Sequence, residues 1–395
     1  MKEQDRRLFF VVIRFSIAIF LFCLAQGAVS AVYPSYLESF VEKAYLIGFL
    51  ASLIYLIQLP VSIPVGAFSD LVGRKKLLLT GLSVFTGVEL LYYLNEYLAA
   101  LIILQLAVGI LMITVFVTSE AFIRDISPIS RRGAIRSFFG TWITAGYLFG
   151  PIIGGWIGDN YSIRMPFLIS AILMLLSLIL LSGVKDEHRS QVAVRDKPIK
   201  EKISFFKPLK RFLSLGGGVR YLFINAIILY FWYVTKWIYA PLFLLYLGYD
   251  LGIVGIWLGV SLIPLILFQI PAGILGDRIG KERMITIGVL ISAISIAPLG
   301  FISDLDGLIL IILIISTGSA FIEPLINAKI TDLIPKENYG ECSGVFEAAK
   351  ITGCISGPIV TGIIVDLAGF EYAFIPSAIL FLFLLIYDVT GHGKN

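Results

Sequence analysis

Twelve stretches of twenty or more mainly apolar residues follow one another along this chain, and that succession leaves few folds open. They cover residues 9–36, 45–69, 76–96, 99–124, 133–159 and 163–184, then 219–246, 252–275, 282–302, 306–332, 341–364 and 370–389. A helix of about 20 apolar residues crosses the hydrocarbon core of a bilayer while satisfying its own backbone hydrogen bonds. Of the 395 residues 58% are hydrophobic and 15% charged, whereas a soluble domain carries roughly 25% charged residues. Mean hydropathy is +0.92. So much apolar surface has to face lipid, and twelve spans leave only short loops and one longer linker.

The net charge of +4 matters less than where the charges sit. Basic residues gather at Lys2, Arg6 and Arg7, at Arg74, Lys75 and Lys76, and at Arg131, Arg132 and Arg136. They gather again from Lys185 to Arg211 and at Arg278, Lys281 and Arg283, which is every second segment between spans. The alternate segments hold only Lys43 and Arg164, beside acids such as Glu96, Asp159, Asp250, Asp304, Asp306 and Asp366. Cytoplasmic loops carry the excess of Lys and Arg, so both termini are expected in the cytoplasm of a cell-membrane protein. Each basic cluster abuts a span, which argues against nucleic-acid binding. Cys23, Cys342 and Cys354 stand singly and show no metal or redox spacing, so no cofactor is expected. His188 and His392 fall outside the spans, which excludes an intramembrane histidine relay. The first apolar run is long for a signal peptide and lacks a small-residue cleavage site, so it reads as an uncleaved span.

Residues 185–218 interrupt the hydrophobicity with charge, two prolines and a Gly run, and divide the chain into halves at 1–184 and 219–395. Within this linker Phe205, Phe206, Leu209, Phe212 and Leu213 form either an amphipathic stretch on the membrane surface or part of a disordered tether. Shifting the first half by 207 residues brings Pro34 onto Pro241, Gly48 onto Gly255, Pro64 onto Pro271 and Gly66 onto Gly273. The same shift brings Asp70 onto Asp277, Gly73 onto Gly280, Gly81 onto Gly288, Asp125 onto Asp332, Pro128 onto Pro335 and Gly133 onto Gly340. It also brings Gly146 onto Gly353, Gly150 and Pro151 onto Gly357 and Pro358, Gly155 onto Gly362 and Asp159 onto Asp366. Chance matches between membrane spans would fall on Leu and Ile; these fall on residues that set backbone shape and charge. The expected fold class is an all-α membrane protein with twelve transmembrane helices in two pseudo-symmetric six-helix bundles. Halves of even span count lie parallel, related by an axis along the membrane normal, with a central cavity between them.

Between spans two and three the chain reads Gly66, Asp70, Gly73, Arg74, Lys75 and Lys76 at the spacing G-x-x-x-D-x-x-G-R-K-K. Gly273, Asp277, Gly280 and Lys281 repeat it more weakly. A glycine permits the tight reversal, and a carboxylate at a membrane face can dock on a helix N-terminus or an Arg. This loop resembles the signature of the major facilitator superfamily. Span five carries Ser137, Gly146, Gly150, Pro151, Gly154 and Gly155, and resembles the antiporter signature of the drug-exporting branch, with Ser137 where that pattern begins with Gly. Asp125, Pro128, Arg132 and Gly133 also match the usual loop between spans four and five. The resemblance covers nearly the whole chain. It implies that Asp70 contacts the start of span eleven near Gly340 and locks a gate, with Gly73, Arg74, Asp125, Arg132 and Asp277 in the same machinery. It also implies export by exchange. Small residues at the span-five spacing equally serve plain helix packing. One departure is Gln105, four residues before Gly109, where the exporters carry an intramembrane Arg tied to proton coupling.

A charge at the bilayer centre costs roughly 2.5–3.5 kcal/mol on insertion scales, so each one retained needs a partner, water or a role. The resemblance places spans one, four, seven and ten around the cavity, with Gln26, Gln105, Asn225, Trp232, Lys236, Glu323 and Asn327 as candidate substrate ligands. Glu323 and Asn327, four apart, share a face of span ten, and Asn225, Trp232 and Lys236 a face of span seven, flanked by Tyr233 and Tyr239. Glu323 is the leading candidate for carrying a coupled proton; the competing reading is a fixed ion pair with Lys236 or Lys350. Glu347 and Lys350, three apart, can neutralise each other, and Glu89 midway along span three is a further candidate for proton coupling. Arg14 and Glu120 sit nearer the interface and can snorkel.

An intramembrane enzyme needs a buried nucleophile with its base or a metal-binding motif, and neither occurs. A secondary exporter of small amphipathic or drug-like compounds driven by protons is expected, in the lipid bilayer and as a monomer. The alternatives are a uniporter or proton symporter of a sugar or organic anion, in which the Gln and Asn side chains bind substrate, and a non-transporting sensor.

Overall fold

The computed structural model describes residues 3–184, 206–334 and 339–390. Residues 1–2, 185–205, 335–338 and 391–395, which include Lys2, His188, Phe205, Pro335 and His392, lie outside the described residues. Among the described residues all regular structure is helical. The helices are α1 (Glu3–Glu38), α2 (Ala44–Val72), α3 (Arg74–Leu94), α4 (Leu98–Ile126), α5 (Arg132–Asn160) and α6 (Met165–Ser182). After the linker come α7 (Phe206–Leu213), α8 (Gly217–Tyr246), α9 (Leu251–Val260), α10 (Ile263–Ile279) and α11 (Lys281–Ile296). The last three are α12 (Leu305–Leu333), α13 (Tyr339–Ala368) and α14 (Ile375–Val389).

Eleven segments among the described residues are long and apolar enough to cross a membrane, with Leu251–Ile279, the α9–α10 pair, counted once. The twelfth expected span, α5, has the length at 29 residues, but seven glycines together with Arg132, Arg136 and Asp159 hold its hydropathy down. The break between α9 and α10 has a local cause. Pro264 stands in the first turn of α10 and has no N–H to offer the Val260 carbonyl at the end of α9, so the hydrogen-bond ladder cannot run on through it. The reversals from α2 to α3 and from α10 to α11 are made at Gly73 (φ 96°) and Gly280 (φ 103°), a backbone region that side chains rarely enter. Asp304 caps α12 by accepting from the Gly307 N–H at 2.7 Å.

The described chain forms two compact units. The first holds residues 3–36, 53–184 and 250–259, and the second 37–52, 206–249, 260–334 and 339–390. In the first unit Phe15 stacks on Phe122 with centroids 4.6 Å apart, and Tyr92 stacks on Phe167 at 5.2 Å. In the second, Trp232 and Phe243 both meet Phe374 edge-on, at 6.2 and 5.5 Å. The described part of the linker docks rather than lying free: Phe212 is fully buried and packs on Phe223 of α8.

The 207-residue repeat recurs as contacts. In the first unit a Cβ on Gly146 would lie 2.9 Å from the Phe20 carbonyl, and one on Gly150 would lie 2.7 Å from the Leu24 carbonyl. In the second unit a Cβ on Gly353 would lie 2.2 Å from the Ile227 carbonyl oxygen and one on Gly357 would lie 2.5 Å from the Phe231 carbonyl oxygen. Every one of these residues is the counterpart of its partner in the other half at the same offset. An added Cβ on Gly155 would lie 2.2 Å from the Leu251 carbonyl oxygen, matched by one on Gly362 2.6 Å from that of Ala44; one on Gly255 would lie 2.2 Å from the Pro151 carbonyl oxygen, matched by one on Gly48 2.1 Å from that of Pro358. Eight of the glycines that matched in sequence, Gly48, Gly146, Gly150, Gly155, Gly255, Gly353, Gly357 and Gly362, are places at which two helix backbones come close.

Candidate functional site

In the second unit, α8 brings one face of aromatic and charged side chains against α12 and the α9–α10 break. Trp232, Tyr233, Lys236 and Trp237 of α8 line a cleft with Leu262, Leu265, Ser316 and Ser319, enclosing ≈ 70 Å³. Lys236 is only 3% exposed. Its Nζ donates to the Ser261 hydroxyl at 3.1 Å, at the break before Pro264, and lies 5.0 Å from the Trp237 ring and 5.9 Å from the Tyr233 ring. No carboxylate stands within ion-pair distance of it among the described residues. A cation over a ring is worth about 0.5–2 kcal/mol, whereas withdrawing an ammonium from water costs several. A hydroxyl, two ring faces and the more distant Glu323 carboxylate offset only part of that cost.

One turn further along α12, both carboxylate oxygens of Glu323 accept phenol hydrogen bonds from α8. Tyr230 donates to Oε1 at 3.0 Å and Tyr233 to Oε2 at 2.8 Å, with the two rings edge-to-face at 5.4 Å. Hydrogen bonds to a charged acceptor are short and worth about twice a neutral one. A direct pair between Glu323 and either lysine is not formed. Lys350 bonds Glu347 at 2.7 Å and lies over the Tyr230 and Phe346 rings, and Asn327 spends its amide on the Glu323 carbonyl at 2.9 Å. Trp232 and Lys236 share the cleft; Asn225, fully buried eleven residues before Lys236, does not line it.

The first unit holds a separate polar set. Glu89 on α3, 3% exposed, accepts from Gln26 of α1 at 3.0 Å, and its second oxygen has no hydrogen-bond partner among the described residues. Gln105 on α4 is fully buried and its Oε1 accepts from Tyr33 at 2.8 Å and Tyr92 at 3.0 Å. That gives a physical reason for a neutral amide where the resemblance places an Arg: two phenols point at the position, and a guanidinium has no acceptor to offer them.

At the Gly73 turn, Arg74 bridges Asp70 at 3.0 Å and Asp125 at 2.8 Å. Lys281 and Asp332, their counterparts at the same offset, pair at 2.6 Å. Asp277 and Arg132 are exposed. The expected approach of Asp70 to the start of span eleven near Gly340 falls outside the described contacts. Gly146, Gly150 and Gly154 of α5 form a seam against α1, while Gly155 and Pro151 meet residues 251–255. Near the interface Arg14 donates to the Leu180 carbonyl at 2.8 Å, and Glu120 pairs with Arg136 at 3.4 Å.

Several polar residues, and the partners of some that the sequence singles out, are not evident from the sequence. Tyr230, Ser261 and Trp237 complete the α8 site; only the i, i+3 spacing of Tyr230 and Tyr233 on one helix face foreshadows the first. Asp366 caps the start of α2 from another helix, accepting the Ala44 and Tyr45 N–H groups at 3.0 and 2.9 Å. The Tyr239 hydroxyl lies 2.9 Å from the Ala44 carbonyl and 2.8 Å from the Pro358 carbonyl. Lys329 with Glu282, and Thr286 with Asp388, make two further polar contacts between helices of the second unit. No motif spacing announces any of these.

A family model described as Major Facilitator Superfamily matches residues 15–238 and 222–390. An uncharacterized MFS-type transporter of Methanocaldococcus jannaschii is 27% identical over 92% of this chain and 93% of its own length. Multidrug resistance protein 2 of Bacillus subtilis is 25% identical over 88% of this chain and 87% of its own. A crystal structure of the nucleoside transporter NupG superposes with a TM-score of 0.78 at 15% identity, covering 98% of this chain and 99% of the other.

Proposed function

Since the chain belongs to the Major Facilitator Superfamily, and is therefore a multi-span membrane transporter of small molecules and not an enzyme, we propose that it exports small amphipathic or drug-like compounds in exchange for protons, by alternating access. The Bacillus subtilis relative carries multidrug resistance in its name, which supports efflux. The likeness to NupG speaks for the fold alone. The span-five pattern that resembles the antiporter signature supports exchange. In this reading the chain sits in the cell membrane with both termini in the cytoplasm, as the alternation of basic loops implies.

The observation that carries the proton-coupling part is the binding of Glu323. An ionised carboxylate accepts at both oxygens, and here a phenol of α8 occupies each one. When Glu323 takes up a proton, the protonated oxygen becomes a donor, and the phenol facing it has to accept that hydrogen bond and turn its own O–H elsewhere. Protonation of α12 thereby changes what holds α8, the helix that carries Trp232 and Lys236. Glu89, Glu347 and Lys350 are secondary candidates in the same scheme. The loop ion pairs of Arg74 with Asp70 and Asp125, and of Lys281 with Asp332, fix the turns at Gly73 and Gly280, and the glycine seams of α5 and α13 keep each unit rigid while it moves. The test is Glu323→Gln in proteoliposomes under an imposed pH gradient: substrate binding persists and gradient-driven transport is lost. Gradient-driven transport at the wild-type rate would remove Glu323 from the mechanism.

A further inference from the structure

We propose that the cleft beside Lys236 is an anion subsite, which takes the carboxylate or sulfonate head group of an organic anion whose remainder is aromatic or apolar. The proposal rests on the transporter reading and adds to it the charge class of the substrate. Lys236 is a buried ammonium in a membrane span with three N–H donors, and one neutral hydroxyl, that of Ser261, is its hydrogen-bond partner. The other groups facing the cleft are Trp232, Tyr233 and Trp237 of the same helix, Leu262 and Leu265 of the α9–α10 segment, and Ser316 and Ser319 of α12. None of them carries a negative charge. The nearby acid, Glu323 one turn beyond Ser319, has both oxygens committed to Tyr230 and Tyr233.

The size of the cleft narrows the ligand. At ≈ 70 Å³ it holds a head group, whereas a drug-sized body needs about 300 Å³ or more. A head group seated there meets an ammonium, two serine hydroxyls and aromatic walls, and the indole and phenol faces suit an aryl or alkyl carbon attached to it. A cationic head group would meet the Lys236 charge in a low-dielectric wall. A neutral amide brings the ammonium no opposite charge beyond that of Glu323, which forms no direct pair with it. The expected order of preference is anion, then neutral, then cation.

The experiment titrates the purified full-length protein in detergent with three matched probes, 1-naphthaleneacetate, 1-naphthaleneacetamide and 1-naphthylmethylammonium, and reads the dissociation constants calorimetrically. The acetate is expected to bind at least tenfold more tightly than the amide, with the ammonium weakest. Lys236→Met is expected to erase the tenfold gap and Lys236→Arg to keep it. Equal binding of acetate and amide by the wild type, or an undiminished gap in Lys236→Met, overturns the proposal. Should Lys236→Met fail to fold, the wild-type order and the Lys236→Arg variant still decide. Because the readout is binding without flux, the two readings fail separately. A protein that prefers the acetate yet moves nothing against a proton gradient contradicts the exporter reading alone. One that drives neutral or cationic compounds out, with no preference for the acetate, contradicts the anion subsite alone.

Discussion

Gly154 lies where α5 presses on the backbone of α1, and adding a single methyl group there tests whether the glycine seam holds the first unit together. A Cβ at this position would stand 1.8 Å from the Ala28 carbonyl oxygen, 2.4 Å from its carbon and 2.5 Å from Ala28 Cα. Non-bonded heavy atoms settle at about 3.5–4.0 Å, so the two helix backbones would have to part locally by roughly 1.5–2 Å. The obstacle is backbone, which cannot rotate aside as a side chain does. Overpacking a well-packed site costs typically about 1–3 kcal/mol, and Gly154→Ala belongs at the upper end of that range. Gly140→Ala on the same helix is the control: nothing lies within 4 Å of the added methyl, and replacing glycine inside a helix contributes about 0.5–1 kcal/mol. The assay is thermal unfolding of the two purified variants beside wild type in one detergent. Gly154→Ala is expected to melt several degrees below wild type and Gly140→Ala at or slightly above it. If Gly154→Ala melts with the wild type, the close approach of α1 and α5 does not hold the unit.

Gly73→Ala forces a side chain into φ 96° with open space around it, so strain alone acts; about 1–3 kcal/mol of destabilisation is expected in thermal unfolding, and none would show that the turn relaxes freely. Asp366→Ala strips the α2 start of the acceptor for its Ala44 and Tyr45 N–H groups, a loss of about 1 kcal/mol. Hydrogen exchange over residues 44–47 is expected to accelerate, and unchanged protection there would mean that the cap is dispensable.

Much of the fold is legible in the sequence, because a bilayer permits so few solutions. Runs of apolar residues between charged loops specify helices, and the single 207-residue offset specifies two equivalent sets of them. The glycines and prolines that match across the offset are legible for a related reason: where backbones touch, as at Gly146 and Gly353, a side chain has no room. The partners of polar side chains are far less legible. Glu323 stands out in a span by its charge alone, but its ligands Tyr230 and Tyr233 are two phenols among eighteen tyrosines, and nothing in their spacing says which group they will face. Lys236 has a carboxylate on the neighbouring span as the obvious partner in sequence, and takes a serine and two rings instead. Asp366 reads as one more acid in a loop between spans, and its capping of α2 depends on tertiary placement that no local pattern encodes. Gln105 is the converse case. It departs from the family pattern, and the structure supplies the reason in Tyr33 and Tyr92.

In the proposed cycle substrate leaves as protons enter. The most direct measurement is direction-resolved flux in proteoliposomes of the full chain, with an internal pH dye recording proton movement while an imposed pH gradient is the only driving force. Substrate is expected to move against the proton flow, and the Glu323→Gln protein to move neither. Substrate travelling in the same direction as the protons, or flux indifferent to the gradient, would contradict the account.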